Sequence, residues 1–222
     1  MSTQQGVTRV MRSDARRNRD ALLCAARAVF AEHGLDAPLE QVARQAGVSI
    51  GTLYRHFPTR VDLVQEMFAA KLQAWLDVAE EAVANQDAWA GFCLYVETVC
   101  ELQAGDRGFN DIASMRLPSS ERIDAVQRRI AQLGVEIVAR AQAQGRLRPD
   151  VAFEDLAFVI WSHSRITQAT HGVAPCAWRR YVHLMLDAFR ADRAHPLPEP
   201  PLTHDQLALA MLQLGSSGAC AG

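Results

Sequence analysis

The chain lacks the apolar segments that would place it in or across a membrane. In its 222 residues, no apolar run approaches the roughly 20 residues that a spanning helix needs. The N-terminal stretch MSTQQGVTRVMRSDARRNRD is polar and basic, without the apolar core of a signal peptide. We therefore expect a soluble, cytoplasmic protein with no membrane partner.

Cysteine is scarce and irregularly placed. The five cysteines are odd in number and include no CxxC pair. Such a set fits reduced, mostly buried thiols in an intracellular chain better than a disulfide framework or a zinc site. The residues concerned are Cys24, Cys93, Cys100, Cys176 and Cys220.

Motifs for catalysis, metal binding and phosphate binding are absent. The run SHS at 162–164 has no glycine elbow around it and no acid placed to orient His163. His163 and His171 could share a helix face, but no third metal ligand accompanies them. The run GDRG at 105–108 lacks the length and the following Lys and Ser or Thr of a phosphate loop. The sequence predicts no enzyme, no metal and no cofactor.

The charge is distributed unevenly along the chain. Residues 1–60 hold nine arginines and five acidic residues, a net charge of +4. The remainder has fourteen basic and twenty acidic residues, a net of −6, which gives the overall value of −2. A basic first quarter joined to an acidic body is expected when only one end of a protein meets a polyanion.

Apolar residues recur at helical spacing throughout, without the alternation of strands and without internal repeats. The predicted fold class is therefore all-α, with an N-terminal helix-turn-helix domain of three helices and a helical C-terminal body. Glycines and prolines separate the predicted helices, which lie at 14–33, 38–46, 50–56, 60–85, 87–103, 120–144, 153–170, 176–191 and 202–214.

The stretch GVSIGTLYRHFPTR at 47–60 carries the most specific pattern. Gly47 permits a left-handed turn, Ser49 can cap a short helix and Pro58 ends it. A narrow side of this helix is apolar, formed by Ile50, Leu53 and Phe57, and its polar side is left free, with Thr52, Tyr54, Arg55 and His56. Two short helices joined by a glycine turn behind a basic helix form the helix-turn-helix plan, in which the second helix enters the DNA major groove.

This stretch, with LEQVARQAG upstream, resembles the signature of the TetR family of bacterial transcriptional regulators over about Arg16 to Met67. The resemblance implies a recognition helix from Ile50 to His56 and predicts DNA-binding residues at Arg16, Arg17, Ser49, Gly51, Thr52, Tyr54, Arg55, His56 and Arg60. Arg60 stands where the family usually has lysine and is expected to hold a phosphate. Pro38 stands where the family more often has a Ser or Thr cap, a role for which Asp36 is the alternative.

The C-terminal body resembles the SbtR-like subgroup in LQAGDRGFNDIASMRLP and PLPEPPLTHDQLALAM. The family plan implies a small-molecule chamber in this body and dimerisation through the last two long helices. An apolar cavity with a few polar groups could be lined by Trp75, Phe92, Tyr95, Val99, Phe109, Ile112, Met115, Trp161 and His163. Ordinary core packing is the alternative explanation for each of them.

These observations predict four segments along the chain: a flexible tail at 1–13, the DNA-binding domain at 14–58, a ligand-binding and dimerisation domain at 59–195, and a Pro-rich spacer with a terminal helix at 196–222. The predicted function is that of a homodimeric repressor, released from a palindromic operator by a small apolar or amphipathic ligand. The alternative is a DNA-binding regulator without a small-molecule effector, or with a protein partner on its C-terminal body.

Overall fold

The computed structural model describes residues 3–104 and 121–217, and these residues fold almost entirely into helices. The helices are α1 (Thr3–His33), α2 (Leu39–Gln45), α3 (Ile50–His56), α4 (Arg60–Ala84), α5 (Ala88–Ala104), α6 (Glu121–Ala143), α7 (Leu156–Thr170), α8 (Ala177–Ala188) and α9 (His204–Ser217). Within the described ranges, β pairing is limited to one isolated bridge between Leu147 and Arg190. The predicted all-α fold class is confirmed.

The starts of the first two helices differ from the prediction in ways that have a local cause. The first helix begins at Thr3, well before the predicted start at residue 14. The apolar periodicity begins only near Leu22, so the pattern contains no information on the polar turns that precede it. The second helix begins at Leu39, with Pro38 as its N-cap in an extended conformation and without any side-chain cap, so Asp36 does not take that role.

The first compact unit of the chain spans residues 1–69. Its apolar core draws on α1, α2, α3 and the first turns of α4, and includes Leu22, Val29, Phe30, Leu39, Val42, Leu53, Phe57, Leu63 and Met67. Ile50, predicted to anchor α3 together with Leu53 and Phe57, is only partly buried. Gly34 and Gly47 have φ angles of 80° and 68°. Both therefore occupy left-handed turns that glycine adopts without the steric cost of a Cβ.

The second compact unit spans residues 70–222 and packs α5 against α6, α7 and α8. The start of α5 is held by the end of α6. The Gln144 side-chain oxygen accepts a hydrogen bond from the Ala88 amide at 2.9 Å, and Arg140 Nη2 donates to the Asn85 carbonyl at 2.9 Å. These bonds satisfy backbone groups that a helix end leaves unpaired.

The cysteines are more exposed than the sequence suggested. Of the four that the structure describes, Cys24 and Cys176 are exposed, Cys93 is partly buried and Cys100 is buried. Cys24 lies on the outer face of α1 and Cys176 immediately precedes α8, so neither faces a core. Burial raises the pKa of Cys93 to about 11 and that of Cys100 to about 12. Both of these thiols are therefore protonated and unreactive at neutral pH.

Membrane-spanning helices and metal-binding clusters are both absent from the described ranges, 3–104 and 121–217. No helix in them is long and apolar enough to cross a membrane. No group of three or more His, Cys, Asp or Glu side chains in the same ranges could hold a metal ion.

Replacing Gly91 with alanine tests the close approach of α4 and α5. A Cβ at this position would overlap the backbone carbonyl oxygen of Ala82, which cannot move without shifting the helix. We expect Gly91→Ala to lower the free energy of unfolding by about 1–3 kcal/mol, the usual cost of overpacking. Gly172→Ala is the matched control, because its Cβ meets nothing within 4 Å. Urea denaturation of both variants measures the difference, and equal stability would contradict this account of the contact.

Candidate functional site

The short helix α3 begins with a side-chain cap. Ser49 Oγ accepts a hydrogen bond from the Thr52 amide at 3.2 Å and lies 3.0 Å from Thr52 Oγ1. A cap of this kind satisfies a backbone donor that the first turn leaves open. With seven residues, α3 is too short to be stable alone, so it depends on this cap and on packing.

Burial of one face of α3 determines which residues lie on the other. Leu53 and Phe57 are 0% and 1% exposed. Gly51, Tyr54 and Arg55 are all exposed, and they share a face because they lie three and four residues apart. A Cβ added at Gly51 would meet only Ser49 Oγ, at 3.9 Å, so the backbone there is open to close approach by another molecule. We call Gly51, Thr52, Tyr54 and Arg55 the open face of α3.

His56 lies at the edge of the open face and is partly buried. Burial lowers the pKa of His56 below its ordinary value of 6.5, and the nearby Arg55 and Arg19 lower it further. The imidazole is therefore neutral at pH 7. Its Nε2 atom is buried and has no hydrogen-bond partner in the part of the chain that the structure describes. The predicted contact of His56 with the DNA backbone stays a prediction.

Three arginines of α1 differ in their surroundings. Arg16 and Arg17 are exposed. Arg19 instead packs its guanidinium over the Phe57 ring, 4.9 Å from the centroid, and pairs with Glu66 at 3.0 Å. Arg19 thus connects α1 to the end of α3 and to α4, a role that no local sequence signal indicated.

Arg60 is bound to the protein's own backbone. Its Nη1 donates to the carbonyl oxygens of Leu35 and Ala37, the latter at 2.8 Å, and its guanidinium lies 6.0 Å from the Phe30 ring centroid. Arg60 therefore fixes the loop between α1 and α2 to the first turn of α4. The phosphate contact that the sequence predicted for Arg60 stays a prediction beside these contacts with the loop.

The start of α4 is capped reciprocally. Thr59 Oγ1 and the Thr59 amide both donate to Asp62 Oδ2, at 2.7 and 3.0 Å. The Asp62 amide in turn donates to Thr59 Oγ1 at 3.1 Å. This reciprocal pair stabilises the helix end next to Arg60, and the carboxylate is favourable beside the positive end of the helix dipole.

The residues predicted to line a small-molecule cavity in the second unit are largely buried. Trp75, Phe92, Tyr95 and Val99 are between 0 and 8% exposed. Trp75 Nε1 donates to the Tyr95 hydroxyl at 3.1 Å, and burial raises the pKa of Tyr95. Trp161 is partly buried. Phe109, Ile112 and Met115 lie outside the described residues.

His163 is fully buried beside an aromatic ring. Its imidazole meets the Trp178 ring edge to face, with the centroids 5.2 Å apart, and its Nε2 lies 3.5 Å from Thr167 Oγ1. Burial lowers the pKa of His163 to about 4, so the ring is neutral at physiological pH.

Sequence reasoning missed Gln103, which is buried on α5. Glutamine is usually a surface residue, so its position in the sequence gave no signal.

Two family models match the chain. The model of bacterial regulatory proteins of the tetR family matches residues 22–67. The model of the C-terminal domain of SbtR-like transcriptional regulators matches residues 86–191. Together they include the recognition helix and most of the helices of the second unit.

Individual relatives agree with these models. The HTH-type transcriptional regulator TtgW of Pseudomonas putida is 37% identical over 60 residues, which is 27% of this chain and 45% of that protein. The repressor KstR2 of Mycolicibacterium smegmatis is 28% identical over 142 residues, 60% of this chain and 69% of that protein. The chain thus spans less than half of the first relative's length.

A solved structure shares the fold. The regulator FadR of Bacillus subtilis, determined in complex with stearoyl-CoA, superposes with a TM-score of 0.59 at 19% identity, covering 79% of this chain and 98% of that one.

Removing the Tyr54 side chain tests the open face. Tyr54 is 47% exposed, so we expect Tyr54→Ala to leave the folding stability unchanged and to weaken DNA binding about tenfold, the value of a lost hydrogen bond. Fluorescence anisotropy measures the affinity and thermal melting measures the stability. Val135→Ala, at an exposed apolar position on α6, is the control with unchanged DNA affinity. Unchanged affinity of Tyr54→Ala would show that this face does not meet DNA.

The salt dependence of binding distinguishes two roles for Arg60. If Arg60 positions the loop, Arg60→Gln weakens DNA binding but keeps the slope of log affinity against log salt concentration. A lost phosphate contact would instead reduce the magnitude of the slope by about 0.9 per protomer. Arg16→Gln, at an exposed position of α1 expected to lie near the phosphates, is the matched control and is expected to reduce it. A reduced slope for Arg60→Gln would assign Arg60 to the phosphate backbone.

Proposed function

This chain belongs to the TetR family of bacterial transcriptional regulators, and from that premise we propose that it is a homodimeric repressor which a small molecule releases from a palindromic operator. The observation that supports DNA recognition is the open face of α3. It presents a bare backbone at Gly51, a phenol at Tyr54 and a guanidinium at Arg55 on a helix whose opposite side is buried. Such a helix can approach base edges while other side chains of α1 and α3 contact the phosphates.

The DNA contacts divide into two groups in this proposal. Thr52 and Arg55 contact base edges in the major groove. The Thr52 side chain is short enough for close approach, the Arg55 guanidinium can donate to base acceptors, and Gly51 lets the backbone come near. Tyr54 and His56 bind phosphates beside the groove, with Ser49 at the end of the helix. Arg16 and Arg17 supply positive charge from α1.

Dimerisation sets the spacing of the two recognition helices. Two copies of α3 enter successive major grooves when they lie one DNA turn apart, about 34–36 Å, or a multiple of it. A palindromic operator matches the twofold symmetry of such a dimer. Domain assignments follow from this: residues 14–58 bind DNA, and residues 59–195 bind the ligand and the second copy.

The exposed apolar side chains of α7 and α8 support these helices as the dimer surface. Phe158 on α7 is 47% exposed and Leu184 on α8 is 54% exposed. Apolar side chains of this size are rarely left in water when they cluster, because burying each one contributes about 1.5–3 kcal/mol. Two antiparallel helices from each copy form a four-helix interface of the kind found in bundles.

Release from DNA requires a ligand that prefers another spacing of the recognition helices. Its effect equals its differential affinity for the two spacings, typically about 1–3 kcal/mol. Helix α4 contains both Arg60, which holds the loop between α1 and α2, and Trp75, which bonds Tyr95. A ligand that changes the contacts of Trp75 therefore acts on the helix that fixes the loop between α1 and α2. FadR of Bacillus subtilis was determined in complex with stearoyl-CoA, and KstR2 is a transcriptional repressor; the two together support a proposal of ligand-controlled repression.

A protein partner on the C-terminal body is the second candidate. The terminal helix α9 exposes Leu209, Leu212 and Leu214, which another protein could cover. In that case the chain binds DNA without a small-molecule effector.

Fluorescence anisotropy with duplex DNA from the region upstream of the protein's own gene tests DNA recognition. Tight binding that weakens with salt, and that is absent on a scrambled duplex, would support the regulator. Equal binding to both duplexes over the whole upstream region would count against an operator at that place and direct the search to other promoters.

The dimer surface is tested by charge substitution. We expect Leu184→Glu to convert the dimer to monomers, because it places a carboxylate in the proposed interface without a partner. Sedimentation velocity measures the mass. Leu209→Glu on α9 is the matched control, since Leu209 is also exposed, and it should remain dimeric. The reverse result, with only Leu209→Glu monomeric, would move the interface to α9.

A further inference from the structure

Two buried side chains of the second unit have polar atoms without hydrogen-bond partners among the described residues. Gln103 is 1% exposed, and neither its Nε2 nor its Oε1 has a hydrogen-bond partner among the described residues. His163 is 0% exposed, and its Nδ1 is likewise unpartnered within the described ranges. Folded proteins pair nearly all buried polar atoms, so each such group points to a missing partner.

Contacts at the start of α8 relate His163 on α7 to the C-terminal end of α5, which carries Gln103. Arg179 at the start of α8 pairs with Glu101 near the end of α5 at 3.1 Å. The ring of the neighbouring Trp178 packs edge to face against the His163 ring, with 5.2 Å between the two centroids. The start of α8 thus brings His163 to the level of the last turn of α5, which carries Gln103.

An apolar stripe leads along α5 to this polar end. Tyr95, Val99 and Gln103 follow one another at intervals of four residues, so they share one buried face of the helix. The stripe is about 12 Å long, from the helical rise of 1.5 Å per residue. Trp75 covers its far end through the hydrogen bond to the Tyr95 hydroxyl, which leaves the hydroxyl proton available.

We propose that Gln103 and His163 form the polar end of the effector site, and that the effector is an elongated, uncharged molecule. Its apolar body lies along Val99 and Tyr95, and its terminal hydroxyl, ketone or amide exchanges hydrogen bonds with the Gln103 amide and the His163 imidazole. This inference rests on the proposed function, in which a small molecule binds the second unit.

The charges around this end argue against an ionised effector. Glu97 and Glu101 pair with His183 and Arg179 on the outer side, at 3.8 and 3.1 Å. Lys71 directs its ammonium to the Leu102 carbonyl at 3.4 Å. His163 is neutral, since burial lowers its pKa to about 4. A carboxylate entering here would lose its hydration without gaining a free counter-charge, whereas a neutral polar group loses far less.

The first test needs no effector. Replacing Gln103 with leucine removes two unpaired polar atoms, so we expect Gln103→Leu to raise the melting temperature of the ligand-free protein by about 2 °C or more. Gln142→Leu is the matched control. The Gln142 amide donates to the carbonyls of Arg148 and Val151, at 3.1 and 2.8 Å, so its loss should lower the melting temperature. If Gln103→Leu lowers the melting temperature as Gln142→Leu does, Gln103 has partners within the protein and the inference fails.

The second test compares three probes with the same ten-carbon chain: decan-1-ol, decanamide and decanoate. We expect decanol or decanamide to bind the full-length protein and raise its melting temperature, and Gln103→Leu to reduce that affinity at least about fivefold. Tighter binding of decanoate would overturn the uncharged class. Absence of binding by all three would overturn the elongated shape.

Anisotropy on operator DNA in the same samples separates the two proposals. DNA binding that persists while all three probes fail contradicts only the inferred effector. Absence of specific binding to every promoter tested contradicts the proposed function itself.

Discussion

The orientation of α3 depends on the burial of Leu53 and Phe57. A helix of seven residues has almost no stability of its own, so packing decides which way its faces point. These two side chains are 0% and 1% exposed, and Arg19 covers the Phe57 ring from α1 at 4.9 Å. Because the residues of a helix are fixed in angle relative to one another, burying this side presents Gly51, Tyr54 and Arg55 on the opposite side. The exposed recognition surface is thus a consequence of the core.

The parts of the fold that are encoded locally could be predicted. The left-handed turn at Gly47, the cap at Ser49 and the apolar spacing of α3 each depend on residues within one or two turns of one another. The partners of Arg60 could not be predicted, because its carbonyl acceptors lie 23 and 25 residues earlier in the chain. The resemblance to a family suggested a phosphate at this position, and only the folded arrangement shows the loop carbonyls.

The second unit shows a different limit of sequence reasoning. Apolar residues such as Tyr95 and Val99 on α5 have the same spacing whether they fill a core or line a binding site, since both kinds of position are apolar and buried. The distinction comes from polar atoms that lack partners, which a sequence does not reveal. Glutamine is usually a surface residue, so Gln103 was not predicted, whereas His163 was, because a buried imidazole needs a hydrogen-bond partner.

Unpaired polar atoms in the second unit also bear on how a ligand could control DNA binding. A ligand shifts an equilibrium only by the difference between its affinities for the two states. If Gln103 and His163 are unsatisfied without the ligand, the ligand-free state carries a cost that binding removes, and the gain depends on the exact positions of α5, α7 and α8. Trp75, bonded to Tyr95 on that same stripe, belongs to α4, whose first residue Arg60 holds the loop between α1 and α2. The contacts that a ligand would change and the contacts that fix the loop between α1 and α2 are therefore carried by one continuous helix.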